Sequence, residues 1–229
     1  MLRPARSMIR RWLERRGYIV EHSPGFLWRR DPTFARVMSV ARERTLLRPV
    51  RGFMLWQYAR LCASLAGDAA ELGVYKGGSA MLIAAAYAQS GKPVHLFDTF
   101  SGMPAPDSIK DHPSHQRGEF HKTSLEAVAE FLHGFPGVQF HAGVFPDSAA
   151  SLRDCRFGFV HVDAVIFQSV HDACEFFYPR MVPGGVMLFD DYDSPNCPGA
   201  ELAINSFFAD RPERLVLLPS RQGLIHRLP

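Results

Sequence analysis

The sequence predicts an α/β fold, a doubly wound and mostly parallel sheet with helices on both of its faces. From residue 68 onwards, short apolar segments alternate with longer helical ones, and the first of them runs into a glycine-rich turn. Alternating strands and helices favour a parallel sheet, because each parallel crossover needs a connection about as long as a helix. The 229 residues, 47% of them hydrophobic, are enough for one large core.

The first 66 residues differ from the rest in charge, so we predict a helical extension over 1–66 and a ligand-binding domain over 67–229. Residues 1–60 contain 14 Arg, no Lys and four acids, a net of +10, although the whole chain carries only +3. The opening stretch 1–18 is amphipathic, with apolar residues that could share one helix face: Met8, Ile9, Trp12 and Leu13. A solvated helix, a basic arm for an anionic substrate and a contact with an acidic membrane surface all fit.

The remaining elements follow from apolar periodicity and from the cap and breaker residues. Two further helices are expected in the extension, over 31–48 and 53–65, with Asp31 and Pro32 starting the first and Pro49 separating the two. Strands are predicted at 69–72, 94–97, 138–142, 157–162 and 186–189. Helices are predicted at 79–89, 124–133, 168–178 and 198–210. The last segments, 214–218 and 223–227, are typical of an antiparallel hairpin at the sheet edge.

Three further features limit the interpretation. The longest stretch without a pattern, 101–122, contains His112, His115 and His121 without metal-ligand spacing, and loops of this length are usually functional. The four Cys are scattered and form no C-x-x-C motif, which indicates free thiols in a reducing, cytoplasmic compartment. No apolar run approaches the ~18 residues of a spanning helix, so no membrane span is expected.

The glycine-rich turn, with the sequence ELGVYKGGS over residues 71–79, predicts a binding site for a nucleoside-like cofactor. Gly73, Gly77 and Gly78 lack a Cβ, so the backbone can approach a ligand closely. Glu71 adds a carboxylate at the strand end, and the helix that starts near Ser79 points its first N–H groups at the ligand. The spacing differs from the G-x-G-x-x-G that places a pyrophosphate, which argues against a nicotinamide-dependent oxidoreductase.

The next two strand ends carry further candidate cofactor contacts. Asp98 and Thr99 follow the second strand, where an acid can accept hydrogen bonds from ribose hydroxyls. Gly143 and Phe145 follow the third strand, where the glycine allows a close approach and the ring could pack on a base. A plainer interpretation is that Asp98 caps the following turn. His161, inside the fourth strand, is expected to be a hydrogen-bonded core residue.

The last two parallel strands end in acids. Asp163 follows the fourth strand, and Asp190 and Asp191 follow the fifth. Neighbouring strands would bring these carboxylates together, where they repel one another unless a cation neutralises them. Oxygen ligands suit Mg²⁺, Ca²⁺ or Mn²⁺ rather than zinc. Such an ion can hold a hydroxyl and lower its pKa, so that a nearby carboxylate can remove the proton.

Together these motifs resemble the macrocin O-methyltransferase family of S-adenosylmethionine-dependent enzymes. The resemblance rests on residues 71–79, on DTFSGMP at 98–104 and on FDDY at 189–192. Shorter matches occur at 145–147, 161–164, 178–180 and 183–185, so the similarity spans roughly residues 45–210. It implies that residues 67–229 form a methyltransferase domain that binds S-adenosylmethionine.

The resemblance also implies roles for individual residues. It places the methionine part of S-adenosylmethionine beside the turn 71–79, the ribose beside Asp98 and the adenine near Phe145. The implied cofactor-binding set is Glu71, Gly73, Gly77, Gly78, Ser79, Asp98, Thr99, Gly143 and Phe145. Asp163, Asp190 and Asp191 match the family's divalent-metal carboxylates, with Mg²⁺ the expected ion, and Asp163 is the expected base.

One departure from the family pattern affects the expected activity. Many relatives have a second acid two residues after the first, whereas this chain has Val165 at that position. A non-catalytic or metal-independent S-adenosylmethionine-binding protein of the same fold is therefore the alternative. The expected acceptor is a small molecule with a sugar-like hydroxyl, and a homo-oligomer is compatible with the sequence. No nucleic-acid partner is expected, because no aromatic and basic groove pattern is present.

Overall fold

A computed structural model describes residues 8–9, 11–13, 15–16 and 27–229. In chain order its strands are β1 (Asp68–Leu72), β2 (Val94–Asp98), β3 (Val138–Ala142), β4 (Phe157–Val162), β5 (Met181–Phe189), β6 (Val216–Leu217) and β7 (Gly223–His226). They form one sheet in the order β3-β2-β1-β4-β5-β7-β6. The first five strands are parallel, whereas β7 runs antiparallel to both β5 and β6. The predicted fold class and the antiparallel edge hairpin are therefore confirmed.

Six α-helices lie within the described range 27–229. They are α1 (Pro32–Ala41), α2 (Pro49–Cys62), α3 (Gly78–Tyr87), α4 (Leu125–Phe131), α5 (Phe167–Phe177) and α6 (Pro198–Phe208). Short 3-10 turns occur at Leu27–Arg30, Arg42–Arg44, Asp147–Leu152 and Tyr178–Arg180. No helix among the described residues is long and apolar enough to cross a membrane.

The predicted bounds of the helices before the sheet were wrong around Pro49. The first of these helices ends at Ala41 rather than at residue 48, and Arg48 is extended with a ψ of 150°. A residue that precedes proline avoids the helical region because the proline ring crowds its backbone. Proline itself fits the first helical turn, so α2 begins at Pro49 and not at residue 53.

Side chains of the sheet alternate between two apolar cores, one on each face. Ala69 packs with α1, α2 and α3, whereas the next residue, Ala70, packs with α5 and α6. This alternation follows from the two-residue repeat of a strand. The sheet is therefore buried on both sides, and its strand ends are the places where ligands can reach it.

The helices that precede the sheet contribute directly to the first core. Phe34, Leu55 and Ala59 are fully buried in the same cluster as Ala69. Gly52 lets α2 approach α3 closely, because a Cβ there would lie 3.3 Å from the side chain of Leu82. The boundary at residue 66 stays a prediction, and it does not separate two cores.

The predicted amphipathic helix at the N-terminus falls partly on described residues. Residues 8–9 and 11–13 are helical, and Met8, Ile9 and Trp12 are each more than half exposed. The guanidinium of Arg16 lies 4.0 Å from the ring of Trp12. The rest of the 1–18 stretch lies outside the described residues.

Candidate active site

A cavity of about 450 Å³ opens at the carboxyl ends of the parallel strands. Parallel strands place these ends at one edge of the sheet, where ligands of such folds bind. The predicted site residues that line it are Gly73, Ser79, Asp98, Thr99, Gly143, Phe145, Asp163, Asp190 and Asp191. Glu71, Gly77 and Gly78 do not line it. Their predicted contact with a cofactor stays a prediction.

The glycines of the turn after β1 make room for neighbouring backbone. Gly73 has a φ of 89°, and a Cβ there would lie 1.9 Å from the carbonyl oxygen of Asp163. A Cβ on Gly78 would lie 2.7 Å from the backbone of Arg44, and one on Gly77 would lie 2.9 Å from a methyl group of α4. Gly73 thus lets the ends of β1 and β4 meet. Gly77 and Gly78 allow the turn to pack against α4 and against the backbone of Arg44.

Asp98 holds the glycine-rich turn through backbone hydrogen bonds. Its Oδ2 accepts from the N–H groups of Val74 and Tyr75, both at 2.8 Å, and its Oδ1 accepts from Phe100 at 2.8 Å. The bond from Phe100 supports the interpretation that Asp98 caps the turn that follows it. A carboxylate has about four acceptor positions, so one of them stays available to a ligand hydroxyl. The two interpretations of Asp98 are therefore compatible.

Three other lining residues shape the wall near β2 and β3. The hydroxyl of Thr99 donates to the carbonyl of Gly102 at 2.6 Å, which fixes the start of the long loop. Gly143 has a φ of 130°, and the nearest atom to a Cβ there would be 3.7 Å away, so its surface is open. Phe145 is 7% exposed and stacks on Phe177 with ring centroids 5.3 Å apart. The edge of Phe145 thus offers a fixed apolar contact.

Glu71 and His161 form a buried pair beneath the cavity. Both side chains are fully buried, and Oε1 of Glu71 lies 2.9 Å from Nδ1 of His161. Burial alone would lower the pKa of His161, but the carboxylates of Asp190 and Glu71 raise it to about 10. His161 is therefore the hydrogen-bonded core histidine that the sequence predicts.

Asp163, Asp190 and Asp191 converge as expected from the strand order. Each offers a carboxylate oxygen, and these oxygens lie within 4.8 Å of one another. Asp190 is held by two residues that the sequence did not indicate. Its Oδ2 accepts from Nη1 of Arg51 at 2.5 Å, and its Oδ1 accepts from Nε2 of Gln222 at 2.8 Å.

The three carboxyl groups differ in their tendency to ionise. Burial, followed by the charges of Asp190 and Asp191, holds the pKa of Asp163 well above its usual range. Burial and the charge of Asp190 also raise the pKa of Asp191. Burial opposes ionisation of Asp190 too, but His161 and Arg51 keep its pKa below the usual value. Asp190 thus favours its anionic form, whereas a proton or a cation would stabilise Asp163 and Asp191.

The residues present fit a divalent cation. Oδ2 of Asp191 is buried and has no hydrogen-bond partner among the described residues. An unpartnered buried carboxylate oxygen is costly unless a cation or proton compensates it. Three converging carboxylates offer the oxygen ligands that Mg²⁺, Ca²⁺ and Mn²⁺ take. Asp163, Asp190 and Asp191 could therefore hold such an ion.

The long loop between β2 and α4 forms the opposite wall of the cavity. His115 lines the cavity and joins two of its walls, since its Nε2 donates to the carbonyl of Asn196 at 2.8 Å. Its Nδ1 lies 3.0 Å from Oε2 of Glu119. Asp111 accepts from the backbone N–H of Phe167 at 2.7 Å, which ties the loop to the start of α5. The loop is thus fixed at both the α5 and the β5 side.

A family model of the macrocin-O-methyltransferases matches residues 59–212, more than half of the chain. The chain belongs to the macrocin-O-methyltransferase family. The matched range includes every predicted site residue and excludes α1, the first ten residues of α2 and the C-terminal hairpin. Arg51 and Gln222, which hold Asp190, therefore lie outside the part that the family model matches.

Curated relatives of this chain are named as O-methyltransferases of natural products. The chain is 29% identical over 152 residues to 8-demethyl-8-(2,3-dimethoxy-alpha-L-rhamnosyl)-tetracenomycin-C 4'-O-methyltransferase of Streptomyces olivaceus, covering 61% of this chain and 58% of the relative. It is also 29% identical over 146 residues to mycinamicin III 3''-O-methyltransferase of Micromonospora griseorubida, covering 57% of each. The chain thus spans little more than half the length of these relatives.

Solved structures of two methyltransferases share the fold of this chain. The O-methyltransferase NovP superposes with a TM-score of 0.68 at 21% identity, covering 81% of this chain and 83% of that one. A calicheamicin methyltransferase superposes with a TM-score of 0.67 at 18% identity, covering 90% and 99%. At sequence identities of 21% and 18%, the structural similarity supports the fold of this chain and no finer property.

Val165 lacks the acidic side chain of the family pattern, and its backbone conformation is unusual. It lines the cavity with a φ of 63°, a conformation that is strained for a β-branched residue. Asp and Asn adopt this conformation more readily. The backbone thus has the form that suits the acid of the family pattern, while the valine leaves an apolar wall beside Asp163.

Several residues in or around the site could not be identified from the sequence. Arg51 lies in a helix with no motif, and Gln222 lies in the turn of the edge hairpin. Cys197, after β5, also lines the cavity, and burial and the charge of Asp191 raise its thiol pKa to about 12. Among the described residues, all four cysteines are free. The sequence carries no local signal for the placement of these side chains.

Proposed function

We propose that this chain transfers the methyl group of S-adenosylmethionine to a hydroxyl of a sugar or a natural-product glycoside. One observation carries the proposal: a single cavity joins the glycine-rich turn and Asp98 to three converging carboxylates. Family membership and the curated relatives, which are named as O-methyltransferases of natural products, support the reaction type. The expected cytoplasmic location and homo-oligomer stay predictions.

The cofactor end of the cavity fits S-adenosylmethionine. When bound, this cofactor supplies an electrophilic methyl group on a sulfonium. Gly73 and Ser79 would face its methionine part, and the remaining acceptor position of Asp98 would take a ribose hydroxyl. The edge of Phe145 would contact the adenine, and the open surface at Gly143 leaves room beside it. These residues would hold and orient the donor for transfer of its methyl group.

At the other end, Asp163 is placed to act as the base. Methyl transfer forms a bond from the acceptor oxygen to the methyl carbon, breaks the sulfur–carbon bond and leaves a neutral thioether, and the hydroxyl loses its proton. Asp163 offers a carboxylate that lines the cavity and can accept this proton.

A divalent cation is part of the proposal. Asp163, Asp190 and Asp191 would hold it through their carboxylate oxygens. When bound, the ion supplies Lewis-acid polarisation of the acceptor hydroxyl. A cation would stabilise Asp191 most, because its Oδ2 has no hydrogen-bond partner among the described residues.

The test combines binding with activity. Calorimetric titration with S-adenosylmethionine and S-adenosylhomocysteine is expected to show binding, and methylation of a panel of glycosides and nucleotide sugars is then measured with and without EDTA. Asp163→Asn is expected to lower kcat by roughly 10²-fold or more, because the base is lost, while S-adenosylhomocysteine still binds. The exposed Asp154→Asn is the matched control and keeps full activity.

Two results would contradict parts of the proposal separately. Absence of any donor binding at millimolar concentration overturns the methyltransferase assignment. Turnover that EDTA leaves intact, together with an active Asp191→Asn variant, rejects the metal and keeps the methyl transfer. Donor binding with no methylation of any acceptor would instead favour the non-catalytic alternative.

A further inference from the structure

Arg51, on the first turn of α2, lines the cavity and has no role in the proposed chemistry. Its Nη1 lies 2.5 Å from Oδ2 of Asp190, and its Nε donates to the backbone carbonyl of Ser220 at 3.2 Å. The Arg51 side chain is 20% exposed and its carboxylate partner only 4%. One guanidinium therefore joins α2, the end of β5 and the β6–β7 turn.

Asp190 is held much more firmly than the other two carboxylates. Each of its oxygens already accepts from a side chain, Oδ2 from Arg51 and Oδ1 from Gln222. Gln222 is fully buried and is itself fixed by the hydroxyl of Ser220 at 2.7 Å. By contrast, Oδ2 of Asp191 has no partner among the described residues. The three acids are therefore not equivalent ligands.

Charge makes the same distinction. Among the described residues, the permanent cation that contacts Asp190 is Arg51, whose Nη1 lies 2.5 Å from Oδ2, while Nε2 of His161 lies 3.9 Å from Oδ1. His161 is fully buried beneath the cavity, whereas Arg51 lines it. A cation beside a carboxylate cluster compensates its repulsion and also opposes a second cation at the same place.

We propose that Arg51 is the resident counter-cation of this cluster, a positioning residue that fixes Asp190 and lowers the affinity of the cluster for a divalent cation. This inference rests on the proposed function, because it assumes that Asp163, Asp190 and Asp191 are a metal site. It adds that the position of α2 and metal occupancy are coupled. The positive charge of Arg51 repels a metal that binds at Asp163 and Asp191. A shift of α2 that moves Arg51 away from the cluster therefore increases the affinity for the metal.

A purely structural role makes a different prediction. If Arg51 only anchored α2, its removal would lower the melting temperature and leave cation affinity unchanged or weaker. If Arg51 is the counter-cation, its removal strengthens cation binding. Even in a water-like dielectric, a unit charge a few Å from a divalent ion changes the affinity by roughly tenfold or more.

The experiment is a calorimetric titration with Mn²⁺ and with Mg²⁺, without donor or acceptor. Wild type is compared with Arg51→Met, which removes the charge, and with Arg51→Lys, which keeps it. We expect Arg51→Met to bind both ions at least about tenfold more tightly than wild type, and Arg51→Lys to stay close to wild type. The matched control is Arg48→Met at the exposed residue that immediately precedes the same helix and makes no side-chain cap bond, and its affinity should not change.

The outcomes separate this inference from the proposed function. Unchanged or weaker binding by folded Arg51→Met, or no binding by any of the proteins at millimolar ion, overturns the inference. Circular dichroism and thermal melting verify folding, and Arg51→Gln replaces the Met variant if that variant does not fold. The methylation assay with EDTA is a separate measurement, so metal-independent turnover would reject metal assistance without altering the titration result.

Discussion

At the residue scale, the conformation of Gly73 controls whether the site can form. This glycine lies where the ends of β1 and β4 approach most closely, and its φ of 89° is in the left-handed region that favours glycine. Asp98 then closes the turn by accepting two of its backbone N–H groups. One backbone position thus supports the glycine-rich turn and, through the Asp163 carbonyl, the start of the carboxylate cluster.

Gly73→Ala is expected to destabilise the protein strongly. A Cβ would lie 1.9 Å from the Asp163 carbonyl oxygen, so one of the two strands must move. We expect the free energy of unfolding to fall by about 3 kcal/mol or more. The matched control is Gly91→Ala, which has a φ of 68° but no atom within 4 Å of the added Cβ, and should cost only about 1–2 kcal/mol. Equal losses in denaturant titrations of the two variants would contradict this prediction.

At the element scale, the 101–122 loop depends on a histidine contact between two cavity walls. His115 donates to the carbonyl of Asn196, and Glu119 lies on its other side. Burial alone would lower the pKa of His115, but the hydrogen bonds to Glu119 and Asn196 raise it overall. The protonated imidazole is therefore the form that holds the loop.

We predict that the loop loosens as pH rises. Because the folded pKa of His115 is raised, its stabilising contribution is fully present below the unfolded value of about 6.5 and is lost as pH rises through the folded value. Hydrogen-exchange protection factors of residues 101–122, corrected for intrinsic exchange, should therefore fall from pH 6 towards pH 9. Glu119→Gln should show lower protection at pH 6 and a weaker pH dependence. A flat profile in wild type would contradict the prediction.

At the scale of the whole molecule, the helices before the sheet form part of its core and of its active site. Leu55 and Trp56 on α2 are buried against the sheet, and Asp31 before α1 accepts from the indole N–H of Trp56 at 2.9 Å. Arg51 on the same helix reaches the carboxylate cluster. The predicted division at residue 66 therefore marks a change of composition and of secondary structure within one packed unit.

A truncated chain that begins at residue 67 is expected to be insoluble or unfolded. It would expose the sheet face that α1 and α2 cover, and a sheet of this kind needs both faces covered. A chain that begins at residue 27 keeps the contacts that α1 and α2 make with the sheet and should melt within a few degrees of the full chain. A cooperative thermal transition in the shorter protein would show that residues 67–229 fold alone and would contradict the prediction.

The sequence by itself determined the fold class, the strand ends and the family. Apolar periodicity and glycine spacing are local properties, so the positions of β1 to β4, the turn at residues 71–79 and the acids Asp98, Asp163, Asp190 and Asp191 could be read directly. The family motifs are local in the same sense. The capping role of Asp98 was among the predicted alternatives, because a carboxylate after a strand often accepts from nearby N–H groups.

Only the tertiary structure decided which groups surround those acids. Arg51 and Gln222 are 139 and 32 residues away from Asp190 along the chain, so no local pattern indicates either contact. The packing of α2 on the sheet and the antiparallel return of β7 bring them to one carboxylate. Burial and neighbouring charges then shift the pKa values of the three acids in different directions, because both effects depend on positions in space and not on spacing in the sequence.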